Sequence, residues 1–373
     1  MAEIVFESTG TVELFKEKLQ ELSSRNKSVL ILACDANNFS KEDLDDILQA
    51  SDASLIGGVF PAVIFNDAKY DKGTVFIGLD DYIEVKTILD ISAKDRVNLD
   101  SEVEDHLESF EEDVRTMFVF VDGLTTNIGT CIDVLFDNYG LEINYIGGGS
   151  GSLSFEQKPS LFTNSGLICD ALIYGYSKKA SSIGVSHGWK SISGPYEVTK
   201  SEATVIKELD YKPAFEVYKS VVDNVSGKAI GEENFFDVAK SFPFGINSIS
   251  DEKIVRDPII LDGTSLVCVG NVAQGSYVDI LQGSNENLIE AARYASDHSK
   301  SSMQFKEEFT FFIDCISRVL FLEDKFGNEI SAVYEEELPL VGALTFGEIA
   351  NDGKNYLEFY NKTSVVGRIG NDQ

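Results

Sequence analysis

Basic runs, histidines and paired cysteines are all scarce in this 373-residue chain. Lys178-Lys179 is the one adjacent pair of basic residues, and 62 acids against 31 bases leave a formal charge of −31. A field of that sign repels the phosphates of DNA and RNA and the anionic face of a membrane, so nonspecific nucleic-acid binding is excluded. Apolar runs such as Met117 to Val121 and Val319 to Leu322 fall far short of the roughly 20 residues that span a bilayer, so no membrane span is expected. The N-terminus has no basic segment, no long apolar segment and no small-residue cleavage site, and a cytoplasmic chain is expected. Five cysteines, Cys34, Cys131, Cys169, Cys268 and Cys315, are odd in number and scattered without C-x-x-C spacing. That pattern speaks against both a disulfide framework and a structural zinc site. With 43% hydrophobic and 25% charged residues, the chain reads as globular and long enough for two cores.

The local patterns are those of an α/β chain. Ser28 to Cys34 is a strand, and Ser40 with Asp43 three residues on forms a helix start opening Leu44 to Gln49. Leu55 to Phe65 and Gly73 to Leu79 read as neighbouring strands. Val103, Leu107, Phe110 and Val114 predict a helix over Ser101 to Arg115 whose acids form a solvated face. Met117 to Val121, Thr126 to Tyr139 and Glu142 to Ile146 then follow as strand, helix and strand, in crossover order. Ile168 to Tyr176 and Ser182 to Trp189 are further strands, and Pro213 opens a helix. The predicted fold is α/β with two domains, residues 1–210 and 211–373, each with a mixed, largely antiparallel sheet flanked by helices.

Three places carry possible chemistry. Gly147-Gly-Gly-Ser-Gly-Ser152 is glycine-dense enough to turn backbone N–H groups toward an anion. It lacks the Gly-Lys-Ser/Thr of a phosphate loop and opens no periodic helix, so spacing alone favours a structural turn. Phe118-Val-Phe-Val-Asp122-Gly123 has Phe120 where a phosphatase of that pattern needs its nucleophilic aspartate, which rejects that chemistry. His187, in Gly184-Val-Ser-His-Gly-Trp189, sits at a strand end beside glycine, whereas His106 and His298 are expected at the surface.

In order along the chain, Ile146-Gly-Gly-Gly-Ser-Gly, Gly184-Val-Ser-His-Gly-Trp189, Glu208-Leu-Asp, Val255-Arg256, Asp314-Cys-Ile-Ser-Arg318, Phe346-Gly-Glu348 and Asn361-x-Thr363 resemble the FIST domain proteins. The resemblance spans roughly residues 28 to 365. It departs at Tyr360, where the family usually has histidine, and at Ile56-Gly-Gly-Val-Phe60-Pro61, where it has Gly-Cys-Ser/Thr. The resemblance implies a non-catalytic, cytoplasmic sensor of a small polar ligand such as an amino acid. Its output would pass to a histidine kinase, a cyclic-dinucleotide enzyme or a chemotaxis protein.

Some relatives bind haem and sense nitric oxide, so the alternative to a chain without a cofactor is haem on His187. A third reading is a cysteine enzyme. Cys315 is expected at a strand-to-helix junction that lowers a thiol pKa when the thiol faces the helix N-terminus. Arg318, one turn on, is expected either to fork onto a ligand carboxylate or to pair with Glu323 or Glu348. Because pockets favour domain interfaces, the ligand site is expected between Gly148, Gly149, His187 and Trp189 on one side and Cys315, Arg318, Glu348, Asn361 and Thr363 on the other.

Overall fold

Strand-helix-strand-helix followed by four strands is a pattern the chain repeats three times. The structure, a computed structural model, describes residues 1–247, 252–301, 303–351 and 356–372. The first repeat holds β1 (Glu3–Glu7), α1 (Val12–Ser23), β2 (Ser28–Cys34), α2 (Lys41–Gln49), β3 (Ser54–Phe60), β4 (Ala62–Phe65), β5 (Ala68–Tyr70) and β6 (Thr74–Leu79). The second holds β7 (Glu84–Leu89), α3 (Arg96–His106), β8 (Thr116–Asp122), α4 (Ile128–Tyr139), β9 (Asn144–Ser150), β10 (Leu161–Thr163), β11 (Gly166–Ile168) and β12 (Ala171–Ser177).

The third repeat opens with β13 (Ala180–Ser186) and is interrupted by an inserted unit. That unit contains β14 (Lys190–Glu202), β15 (Val205–Leu209), β16 (Lys212–Pro213), α5 (Ala214–Ser226), α6 (Phe235–Ala239), β17 (Phe244–Ile246), β18 (Ile254–Arg256), β19 (Pro258–Asp262), β20 (Ser265–Cys268) and β21 (Tyr277–Gln282). The repeat resumes with α7 (Asn285–Ser301), β22 (Lys306–Cys315), α8 (Ile316–Leu322), α9 (Phe326–Val333), β23 (Leu340–Thr345), β24 (Glu348–Ala350), β25 (Glu358–Tyr360) and β26 (Ser364–Asn371).

Each repeat builds the same sheet. Its second and third strands run parallel, as β2–β3, β8–β9 and β22–β23, and its last strand lies antiparallel beside the second. The first strand forms one edge. The other edge is completed by a hairpin lent from a different repeat: β10–β11 on β3, β24–β25 on β9 and β4–β5 on β23. The exchange is cyclic, so no repeat finishes its own sheet.

A glycine marks the same place in all three. A Cβ on Gly57, Gly147 or Gly342 would lie 1.9, 1.7 or 1.8 Å from the carbonyl oxygen of Ile31, Val119 or Phe312, its partner on the parallel strand. No other residue permits that approach. Alternate residues then divide between two sides. Leu30 and Leu32, Phe118 and Phe120, Phe311 and Ile313 meet in one central core shared by the three sheets. The opposite faces pack under α1 and α2, under α3 and α4, and under α7 and α9.

The inserted unit has its own core of Val198, Ile206, Tyr218, Phe244, Leu266 and Ile280. The 210/211 boundary expected from sequence falls inside this unit. Strand pairing runs across it in both directions, with β26 beside β13 and β24 beside β9. The sheets are mixed and flanked by helices, as the α/β reading expected. Ser40 and Asp43 form the expected capping box.

Four local expectations change. Helix α3 begins at Arg96, where Asp95 caps it through the Asn98 N–H, and it ends at His106 rather than at Arg115. Gly147 to Ser150 is strand rather than turn, because β8 and β24 approach it from both sides. Asp170, with φ of 45°, breaks the single strand expected over Ile168 to Tyr176. His106 is half-buried and hydrogen-bonded through Nδ1 to the Tyr174 hydroxyl at 2.6 Å.

Candidate functional site

Equivalent positions of the three sheets expose where the third repeat has become polar. The register places Asp314 where the others carry Ala33 and Val121, and Glu348 where they carry Val63 and Leu161. Both acids are fully buried. The fold does not require them there, since two of three copies are built with aliphatic side chains.

Glu348 lies opposite Gly148 on β9. Its Oε1 accepts from the Thr345 hydroxyl at 3.1 Å and its Oε2 from the Thr363 N–H at 3.2 Å. Burial raises its pKa to about 8 against the opposing effect of the Thr363 N–H and the Cys315 thiol. Cys315 does close β22 and precede α8 as expected, but burial and then the nearby Glu348 carboxyl push its thiol well above the ordinary range. The activation by a helix N-terminus on which the cysteine-enzyme reading depends is therefore absent from this site. Gly148 and Gly149 serve packing. Side chains there would strike the carbonyls of Gly347 and Phe346 at 2.8 and 2.6 Å, and the Gly149 N–H already donates to Gly347.

Arg318 is fully buried, and every N–H of its guanidinium has a protein partner. Nη1 donates to the carbonyls of His187 at 2.7 Å and Lys362 at 3.1 Å, and Nη2 to that of Leu288 at 2.9 Å. Nε and Nη2 meet Glu329, and Asp314 lies 3.1 Å from Nε. The expected partners Glu323 and Glu348 are replaced by Glu329 and Asp314. No donor is left for a ligand carboxylate. Burial and then the neighbouring Glu329 drive the Asp314 carboxyl well above its usual range, against the opposing pull of Arg318.

His187 and Trp189 line a pocket of about 310 Å³ together with Lys190, Glu252, Asn287, Glu290 and Tyr294. The end of β13, the start of β14 and one face of α7 form its walls. His187 Nδ1 accepts from the Trp189 N–H at 2.9 Å, and Nε2 faces the Glu252 carboxylate at 3.0 Å. Burial would raise the pKa of Glu252, but the His187 ring and the Ser186 hydroxyl hold it below the usual value. Trp189 Nε1 donates to the Lys362 carbonyl, and the Lys362 ammonium sits 5.0 Å from the indole centroid. With Nδ1 accepting from Trp189, Nε2 is the nitrogen left for a metal, and the Glu252 carboxylate stands in front of it. A lining with Lys190, Glu252 and Glu290 also lacks the apolar slot of a porphyrin, so these residues do not fit an axial haem site.

Seven of the nine residues singled out from sequence are joined by one buried network through Asn361 to Ser364, and Gly148 and Gly149 back it from β9. Its two ends differ. His187 and Trp189 face the pocket, while Arg318, Cys315, Glu348, Asn361 and Thr363 lie behind it with Gly148 and Gly149. Asn361 accepts from Arg256 at 3.5 Å, and the Thr363 hydroxyl donates to the Asn361 carbonyl at 2.8 Å. Sequence reasoning missed Asn287, Glu290 and Tyr294, whose spacing along a helix was a legible signal, and Glu252 and Glu329, for which no local signal exists.

An α/β scaffold with a buried polar network beside a small mixed-charge pocket is the class of molecule this geometry defines. A FIST N domain model matches residues 28–212 and a FIST C domain model matches 214–351, so the chain belongs to the FIST domain family. FIST domains are sensory domains of signal transduction. An uncharacterized protein of Methanocaldococcus jannaschii is 24% identical over 280 residues, which cover 68% of this chain and 53% of that protein. The chain spans about half the length of this curated relative.

Proposed function

We propose that this chain is a non-catalytic sensor that binds a small polar ligand in the His187 pocket and signals through a partner. The observation that carries the reading is the pocket lining, where Lys190 stands with Glu252 and Glu290 around an imidazole and a phenol. One ammonium and two carboxylates around the same pocket suit a zwitterion such as an amino acid, and the volume lies at the lower end of the roughly 300–1,000 Å³ of small-molecule sites. A histidine kinase, a cyclic-dinucleotide enzyme or a chemotaxis protein in the cytoplasm is the class of partner that fits a sensor of this family.

Calorimetry with each of the twenty standard amino acids tests the reading. Saturable binding by the wild type, abolished in Ala291→Phe, which fills the pocket, is the expected result. No saturable binding, or undiminished binding by that variant, overturns it. A Soret band that develops on haem addition and depends on His187 would replace the amino acid by haem.

A further inference from the structure

We propose that the His187 pocket is also the hinge of the inserted unit, with Arg318 as its pivot, so that filling the pocket reorients residues 190–282 against the three-repeat core. The proposal rests on the reading of this pocket as the ligand site. Two connections join the inserted unit to the third repeat: Ser186 to Lys190 on the way in, and Gln282 to Asn285 on the way out. The first lines the pocket with Ser186 to Lys190, and the second leads into the α7 residues Asn287, Glu290, Ala291 and Tyr294 that line it. Glu252, from the inserted unit itself, supplies a further wall.

Glycines stand at both connections. Gly188 has φ of 77°, and a Cβ there would lie 2.4 Å from the Asn287 carbonyl, while a Cβ on Gly283 would lie 2.4 Å from the Trp189 ring. Gly188 thus packs on the backbone of α7, and the Trp189 ring of the entry segment packs directly on Gly283 of the exit. Arg318 ties them at one point, through its hydrogen bonds to His187 and Leu288. Few-residue hinges at element ends are the usual site of such motion.

The remaining attachment includes a charged clamp. Lys362 pairs with Asp257 at 2.9 Å, both buried, and Arg256 donates to the Phe359 carbonyl at 3.0 Å. Among the described residues, the unit's own core is drawn from residues 192–280, and Trp189, Val255 and Leu281 are those of this region that join the core beneath α7. Buried ion pairs gain little net free energy over their desolvation, and domains held by small polar interfaces move relative to one another. A clamp of this kind is balanced closely enough for a ligand at the hinge to shift it.

Pulsed dipolar spectroscopy on the full chain measures the motion. Spin labels at Glu216→Cys on α5 and Glu13→Cys on α1, in a Cys169→Ser background, report the distance between unit and core. In Ala291→Phe the mean distance is expected to move beyond the width of the wild-type distribution. In Asp257→Asn, which adds no bulk and releases the Lys362 clamp, the distribution is expected to broaden. If Ala291→Phe does not fold, Asp257→Asn decides. Unchanged distributions in the variants that fold overturn the hinge. An amino acid that binds by calorimetry without moving the labels overturns the hinge and leaves the ligand reading standing. Movement in Ala291→Phe with no amino acid bound sustains the hinge and removes the ligand reading.

Discussion

Arg318 holds the backbone of His187, its Nη1 lying 2.7 Å from that carbonyl, although the two residues are 131 positions apart. The same guanidinium reaches Leu288 and Lys362, so one side chain joins the segment after β13, α7 and the turn before β26. Replacing it with lysine keeps the charge and loses the planar set of donors. An ammonium has three donors for the three carbonyls and two carboxylates that Arg318 serves, so at least two of these contacts are lost. Arg318→Lys is expected to lower stability by more than about 2 kcal/mol, since hydrogen bonds to charged groups are worth about 1.5–3 kcal/mol each, read from urea unfolding. A loss below about 1 kcal/mol, the size of an exposed pair, would show that the network is not what holds these elements.

The three glycines of the parallel strands make a matched set. Gly57→Ala, Gly147→Ala and Gly342→Ala each drive a methyl group into a backbone carbonyl that has no room to retreat. All three are expected to cost more than about 3 kcal/mol, the upper range for overpacking, and to reduce soluble yield. Gly231→Ala is the control, because nothing lies within 4 Å of the added Cβ and φ of −159° suits any residue. Thermal unfolding of the four variants checks this, and a stable Gly147→Ala would contradict the close approach.

How much of this was legible follows from the same residues. Capping by Ser40, the strand-to-helix junction at Cys315 and the helix after Pro213 are local, and the sequence carries them openly. The threefold repeat was not read, although Leu55-Ile-Gly-Gly, Tyr145-Ile-Gly-Gly and Leu340-Val-Gly-Ala stand in the chain. The inserted unit stretches the third copy, and hairpins lent to other repeats leave no trace in local pattern. For the same reason the site was half legible. His187 and Trp189 adjoin in sequence, but the partners that consume the Arg318 donors come from the segment after β13, from α7 and α9 and from the turn before β26.

Thiol accessibility separates one cysteine from the other four. Cys169 is exposed, whereas Cys34, Cys131, Cys268 and Cys315 are buried. Burial pushes the Cys34 and Cys131 thiols up to about 12, which removes thiolate at neutral pH. A disulfide reagent added to native protein at pH 8 is expected to modify one thiol, lost in Cys169→Ser, and five after denaturation. Rapid native modification of Cys315 would revive the cysteine-enzyme reading.

Glu348 predicts the pH dependence of stability. Its carboxyl has a pKa of about 8 in the folded chain against an ordinary 4.5, so between those values the folded state keeps a proton that the unfolded state has released. Stability therefore falls as pH rises through that window, by up to about 1.4 kcal/mol per unit for this group, and the contribution levels off above about 8. Glu358, raised by burial to about 7, adds a slope of the same sign, so the wild-type curve alone does not isolate Glu348. Glu348→Gln supplies the comparison, since the amide is neutral at every pH and nearly isosteric with the protonated acid. Urea midpoints measured from pH 5 to 9 are expected to decline more steeply for the wild type than for Glu348→Gln, with the two curves parallel above about pH 8. Curves parallel throughout would mean that Glu348 is ionised in the folded protein, and that the Thr345 hydroxyl and Thr363 N–H outweigh its burial.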